Sequence, residues 1–169
     1  MPHVPMPEGV ALSRDLPDWV RLAIADAVVV FGRLEQEAVE IAWLLKGADL
    51  KQKLKLARNP AQENLTFLVA FIERAAPGLK LDAMKDAIAG AAYERNLIAH
   101  GSWSMANRKP WVVWHKFLED DDSVIGEFFE RPRFERFMKI TGRLLADFLR
   151  YHSEFESLTG KKTTSVPRA

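Results

Sequence analysis

Apolar positions recur at helical spacing over most of this chain. From Asp15 onward, Val20, Ile24, Ala27, Val28, Phe31, Leu34, Ala38, Ala42 and Leu45 fall on one stripe of a 3.6-residue period. That pattern predicts a long helix. Asp15 or Asp18 is placed to cap it, Pro17 suits its first turn, and Gly47 ends it. Leu50 to Ala57 predicts a short basic helix. Asn59-Pro60 opens the next, with Leu65, Leu68, Val69 and Ile72 inward and Pro77-Gly78 as the stop. A fourth begins near Asp82, carries Met84, Ile88, Ala91 and Ile98, and stops at Gly101.

The period then changes. Ser102 to Ala106 alternates around Trp103 and Met105, Asn107 to Pro110 is a turn, and Trp111 to Phe117 is β-branched and aromatic. These residues predict a hairpin. The acidic run Glu119 to Asp122 predicts a second turn, and Val124 to Phe129 a third short strand. A last long helix starts near Pro132, with Phe134, Phe137, Met138, Leu144, Leu145, Phe148 and Phe155 on its apolar stripe, and ends at Gly160. The fold expected is mainly α: a bundle of four to five helices with a small antiparallel ribbon before the last helix. One domain spans 15–160 with the ribbon at 102–129. Residues 1–14 are expected to be an irregular arm and 161–169 a flexible tail.

Composition narrows the chemistry. The 169 residues suffice for one domain with a real core. There is no cysteine, which excludes disulfides and thiolate metal sites. A net charge of +1 provides no broad basic field, so nucleic-acid binding would rely on a local site. The most apolar run, Leu22 to Gly32, is short and interrupted by Asp26, so no membrane span is expected. Met1 to Ser13 lacks an apolar signal core, and the protein is expected to be cytoplasmic. No His-x3-His pair or compact carboxylate cluster is visible in the sequence, so neither a metal nor a cofactor is expected.

The stretch that carries chemistry is Tyr93-Glu94-Arg95-Asn96-Leu97-Ile98-Ala99-His100-Gly101. On a helix, Arg95 lies about 20° from Met84, in the middle of the apolar face. A buried guanidinium stays charged and needs an anionic neighbour, a protein carboxylate or a phosphate. Glu35 on the first helix is one candidate partner, in which case Arg95 would serve structure. Asn96 and His100, four residues apart, share one side of the helix. His100 occupies the last turn, where it would either bond a free carbonyl or carry a proton in catalysis. Random placement of this chain's Arg, Asn and His residues would produce an Arg-Asn-x3-His run about 0.007 times. Trp103, Trp111 and Trp114 could stack on bases, but packing of the ribbon is the simpler reading.

Arg95-Asn96-Leu97-Ile98-Ala99-His100 resembles the motif of the HEPN superfamily, in which an Arg and a polar residue precede a His four to six positions after the Arg. The order of elements is also similar: a long first helix, the motif at the end of a later one, and a long final helix. The ribbon at 102–129 is an addition to the family's minimal bundle. The resemblance implies a homodimer whose two motifs share one cleft, and a metal-independent endoribonuclease of toxin–antitoxin, phage-defence or RNA-processing systems. It implies Arg95, Asn96 and His100 as catalytic residues, RNA as substrate, and an antitoxin or other protein as partner. A reading from a different class stands beside it: a non-catalytic helical dimer that binds a nucleotide, RNA or a protein.

Overall fold

The computed structural model describes residues 11–58, 61–75, 81–118 and 121–159. It contains five helices, α1 (Asp18–Lys46), α2 (Leu50–Arg58), α3 (Ala61–Ala75), α4 (Asp82–His100) and α5 (Arg131–Thr159). Four strands, β1 (Leu12–Ser13), β2 (Ser102–Ala106), β3 (Lys109–Leu118) and β4 (Asp121–Phe128), form one antiparallel sheet in the order β1-β2-β3-β4. The mainly helical fold with a small ribbon ahead of the last helix is therefore the one expected.

The chain divides into two compact units, neither of them continuous in sequence. The first combines the chain up to Val30 with Tyr93–Lys139, and the second combines Phe31–Ala92 with the chain from Ile140. The first unit holds the sheet, the start of α1, the end of α4 and the start of α5. Its core includes Val20, Leu97, Ile98, Ala106, Val112, Phe129, Phe134 and Phe137, all buried. Trp103 stacks on Phe134 with ring centroids 5.7 Å apart and meets Phe129 edge-on at 5.6 Å. Trp111 packs against Phe128 at 4.7 Å. These two indoles thus pack within the first unit, the role expected of the tryptophan-rich ribbon.

The hairpin between β2 and β3 closes at Asn107 and Arg108, whose φ angles are 50° and 61°. Two successive left-handed residues match the right-handed twist of the flanking strands. The turn is shorter than the expected Asn107–Pro110, because Lys109 and Pro110 already pair with Ala106 and Met105. Likewise Asp121 and Asp122 belong to β4, opposite Leu118 and Phe117, and not to a turn. Glu119 and Asp120 lie outside the described residues. One strand was not foreseen. Leu12 and Ser13 pair with Ala106 and Met105 along the outer side of β2, inside the segment expected to be an irregular arm. Two residues are too few to show alternation, and what recruits them is the unpaired backbone of β2.

The second unit is helical. Its core includes Phe31, Leu34, Ala38, Ile41, Ala42, Leu65, Leu68, Val69, Ile72, Ile88, Leu144 and Phe148. Gly47, with φ 54°, ends α1. Its N–H bonds the carbonyl of Leu44, and the N–H of Ala48 bonds that of Trp43, which satisfies two carbonyls left free at the helix end. Asp49 then opens α2: its carboxylate accepts from the Gln52 N–H at 2.8 Å, and the Gln52 side chain accepts from the Asp49 N–H at 3.1 Å. Asn64 of α3, buried, donates to the carbonyl of Leu56 at 3.0 Å and joins α3 to α2.

Candidate functional site

The last two turns of α4 carry Arg95, Asn96 and His100. The residue that follows the helix, Gly101, sits where no side chain fits. A Cβ on Gly101 would collide with the side chain of Val112 and the carbonyl of Leu97. Glycine therefore lets the chain pass from α4 into β2 close against Val112 of the neighbouring β3. The Gly101 N–H bonds the carbonyl of Leu97 at 3.0 Å, and the Trp103 indole N–H bonds that of Ile98 at 3.1 Å. Two carbonyls of the final turn are thus satisfied by the first residues of the ribbon.

The three motif residues come together. A terminal nitrogen (Nη1) of Arg95 lies 3.0 Å from Nε2 of His100 and donates to Oδ1 of Asn96 at 3.3 Å. Arg95 and Asn96 are half-buried, and His100 is exposed. A guanidinium has no lone pair to offer, so in this contact Nε2 accepts and Nδ1 carries the ring proton. The result is a cation, a neutral amide and an imidazole lone pair gathered at a solvent-facing helix end. Arg95 is half-buried, and its long stem carries the guanidinium to Asn96 and His100.

A charged network holds the same helix immediately before the motif. The Nε of Arg133 on α5 donates to both carboxylate oxygens of Glu94, at 3.0 and 2.8 Å. Its Nη1 meets Glu127 of β4 at 2.6 Å and donates to the carbonyl of Phe128 at 3.1 Å. The Tyr93 hydroxyl donates to Glu127 at 2.5 Å, and the Tyr93 ring meets Trp114 edge-on at 6.3 Å. Burial and the hydrogen bond to Glu127 push the Tyr93 phenol from 10.0 up to about 12. Burial would raise the Glu127 carboxyl, but the hydrogen bonds from Tyr93 and Arg133 outweigh it and hold the group below its ordinary value. Burial would lower Arg133, but hydrogen bonds to Glu94 and Glu127 outweigh it and raise the guanidinium. Tyr93 and Glu94 are adjacent to the motif in sequence. Their partners are not, and no local spacing could have identified them.

A second constellation lies in the other unit. Glu37 and Glu40, one turn apart on α1, gather with His152 of α5. Glu37 and His152 are each only 8% exposed. Nδ1 of His152 is hydrogen-bonded to Glu37, and Nε2 lies 3.7 Å from Glu156. The bond to Glu37 raises the imidazole above its ordinary value; burial opposes it, and the carboxylates of Glu156 and Glu40 add to the rise. The sequence shows these residues as separate, because 115 positions part Glu37 from His152.

Comparisons with family models, curated proteins and solved structures return no match. None of the described helices is long and apolar enough to cross a membrane.

Proposed function

We propose that the protein is a metal-independent endoribonuclease of the HEPN type, in which Arg95, Asn96 and His100 act on an RNA phosphodiester. The observation that carries this reading is the 3.0 Å contact between Arg95 and the Nε2 of an exposed His100. RNA brings its own nucleophile, the 2′-hydroxyl. His100 Nε2 accepts the hydroxyl proton as the oxygen attacks phosphorus. Arg95 turns from the imidazole to the phosphate and stabilises the charge that grows on its oxygens. Asn96, already an acceptor for the guanidinium, fixes its orientation. The departing 5′-oxygen needs a proton, which a second His100 supplies if two copies face each other across one cleft.

The same contact also favours a second reading. An Arg–His–Asn group held together at one helix end would serve a non-catalytic dimer that binds a nucleotide, RNA or a protein partner. The two readings separate in one assay. Single-stranded RNA is incubated with purified protein in EDTA. The ribonuclease reading expects fragments ending in a 2′,3′-cyclic phosphate, no cleavage at a 2′-deoxy position, and a loss of about 10²- to 10⁴-fold in rate for His100→Ala. Binding of RNA without cleavage, unchanged by His100→Ala, favours the binder. Cleavage that appears only on adding metal overturns the proposed mechanism. Residence in the cytoplasm and a role in toxin–antitoxin or phage-defence systems belong to the same proposal.

A further inference from the structure

The group formed by Glu37, Glu40 and His152 has no part in the proposed cleavage and lies in the unit that does not contain the motif. One ligand atom from each of the three falls within 4.8 Å of the others. In a four-coordinate zinc-class site, with each ligand at about 2.0–2.2 Å, two donors stand about 3.3–3.6 Å apart. Rotation of the flexible glutamate side chains by roughly an ångström therefore brings all three into coordination range.

Charge favours the same conclusion. An ion pair between His152 and Glu37 accounts for one carboxylate. A second carboxylate, the half-buried Glu40, stands beside that pair, and two like charges this close repel. Among the described residues, Glu37 meets the imidazole and Glu40 meets the neutral amide of Gln36 at 2.6 Å, and neither meets a lysine or arginine. The neighbours have the form of an outer ring that orients metal ligands. Gln36 donates to Glu40 from the preceding turn. With Nδ1 of His152 turned to the cluster, Nε2 faces the carboxylate of Glu156, the partner that commonly fixes the tautomer of a ligating histidine.

We propose that Glu37, Glu40 and His152 bind one divalent ion of the zinc class, with Gln36 and Glu156 orienting the ligands. An imidazole nitrogen among the donors selects this class over calcium or magnesium, which take oxygen ligands. Three protein ligands leave a fourth position for water. The proposal is independent of the ribonuclease reading.

The test is calorimetric titration of the metal-stripped full chain with zinc chloride, repeated with Co²⁺ as an optical probe. The expected result is one ion per chain with a micromolar or tighter Kd and the visible absorption of four-coordinate cobalt. Glu40→Gln is expected to weaken binding at least tenfold, and His152→Gln to do the same. Glu40 is partly exposed, so Glu40→Gln should keep its helical circular dichroism and remains informative even if His152→Gln fails to fold. Three outcomes overturn the proposal: no saturable binding, wild-type affinity in Glu40→Gln, or magnesium bound as tightly as zinc.

Discussion

Tyr93 illustrates how much one hydroxyl can decide. It donates to Glu127, which also accepts from Arg133, which in turn holds Glu94 beside the motif. The phenol is held from 10.0 to about 12, so its folded value lies above its unfolded one. Its contribution to stability is therefore complete below pH 10 and is lost as the pH rises toward 12. Glu127 is shifted the other way, so its contribution is present above the ordinary carboxylate range and is lost as the pH falls through its folded value. Tyr93→Phe removes a hydrogen bond to a charged group and is expected to cost about 1.5–3 kcal/mol near neutral pH. The check is urea unfolding of both proteins from pH 7 to 11.5, in which the wild-type advantage should shrink above pH 10. The residues that meet locally were legible from spacing: Arg95, Asn96 and His100 stand together as their positions on one helix end imply. Those whose partners are distant in the chain were not. Glu37 sits on the buried side of α1 although charge alone would place it outside, and Val28, assigned to the stripe, is 44% exposed.

Helices α1, α2 and α5 could be read because residues at their ends have a local reason to stop or start; the Asn59-Pro60 and Pro77-Gly78 signals for α3 lie outside the described residues. Gly47 adopts a left-handed φ, Asp49 and Gln52 cap reciprocally, and Pro132 lies in the first turn of α5. The bounds of α1 and α4 follow the sequence reading closely for that reason. Strand limits were less legible, since β1 exists through pairing with β2 and carries no periodic signal of its own. The β2–β3 turn shows a related tension. Arg108 holds a φ of 61°, a conformation that costs a residue with a Cβ about 1–2 kcal/mol. Asn107 tolerates it better, because asparagine is among the residues enriched in the left-handed region. Arg108→Gly relieves the strain at some cost in chain entropy, and a net gain of roughly 0.5–1 kcal/mol is expected. A thermal unfolding midpoint a few degrees above wild type would bear this out, while a lower midpoint would refute it.

At the scale of the whole molecule, the proposed ribonuclease is served by two copies of the motif, so that one His100 accepts the 2′-hydroxyl proton while the other donates to the departing oxygen. Sedimentation of the purified chain is expected to give twice the 19.2 kDa of one chain at the concentrations where RNA is cut. A strictly monomeric protein that still cleaves would rule out the shared-cleft arrangement. Each compact unit takes its chain from separate stretches, and α1, α4 and α5 all pass from one to the other. No single cut in the coding sequence releases either unit intact. Deletion mapping would dismantle both at once, so the motif and the glutamate–histidine cluster can be dissected only by point substitution in the full-length polypeptide.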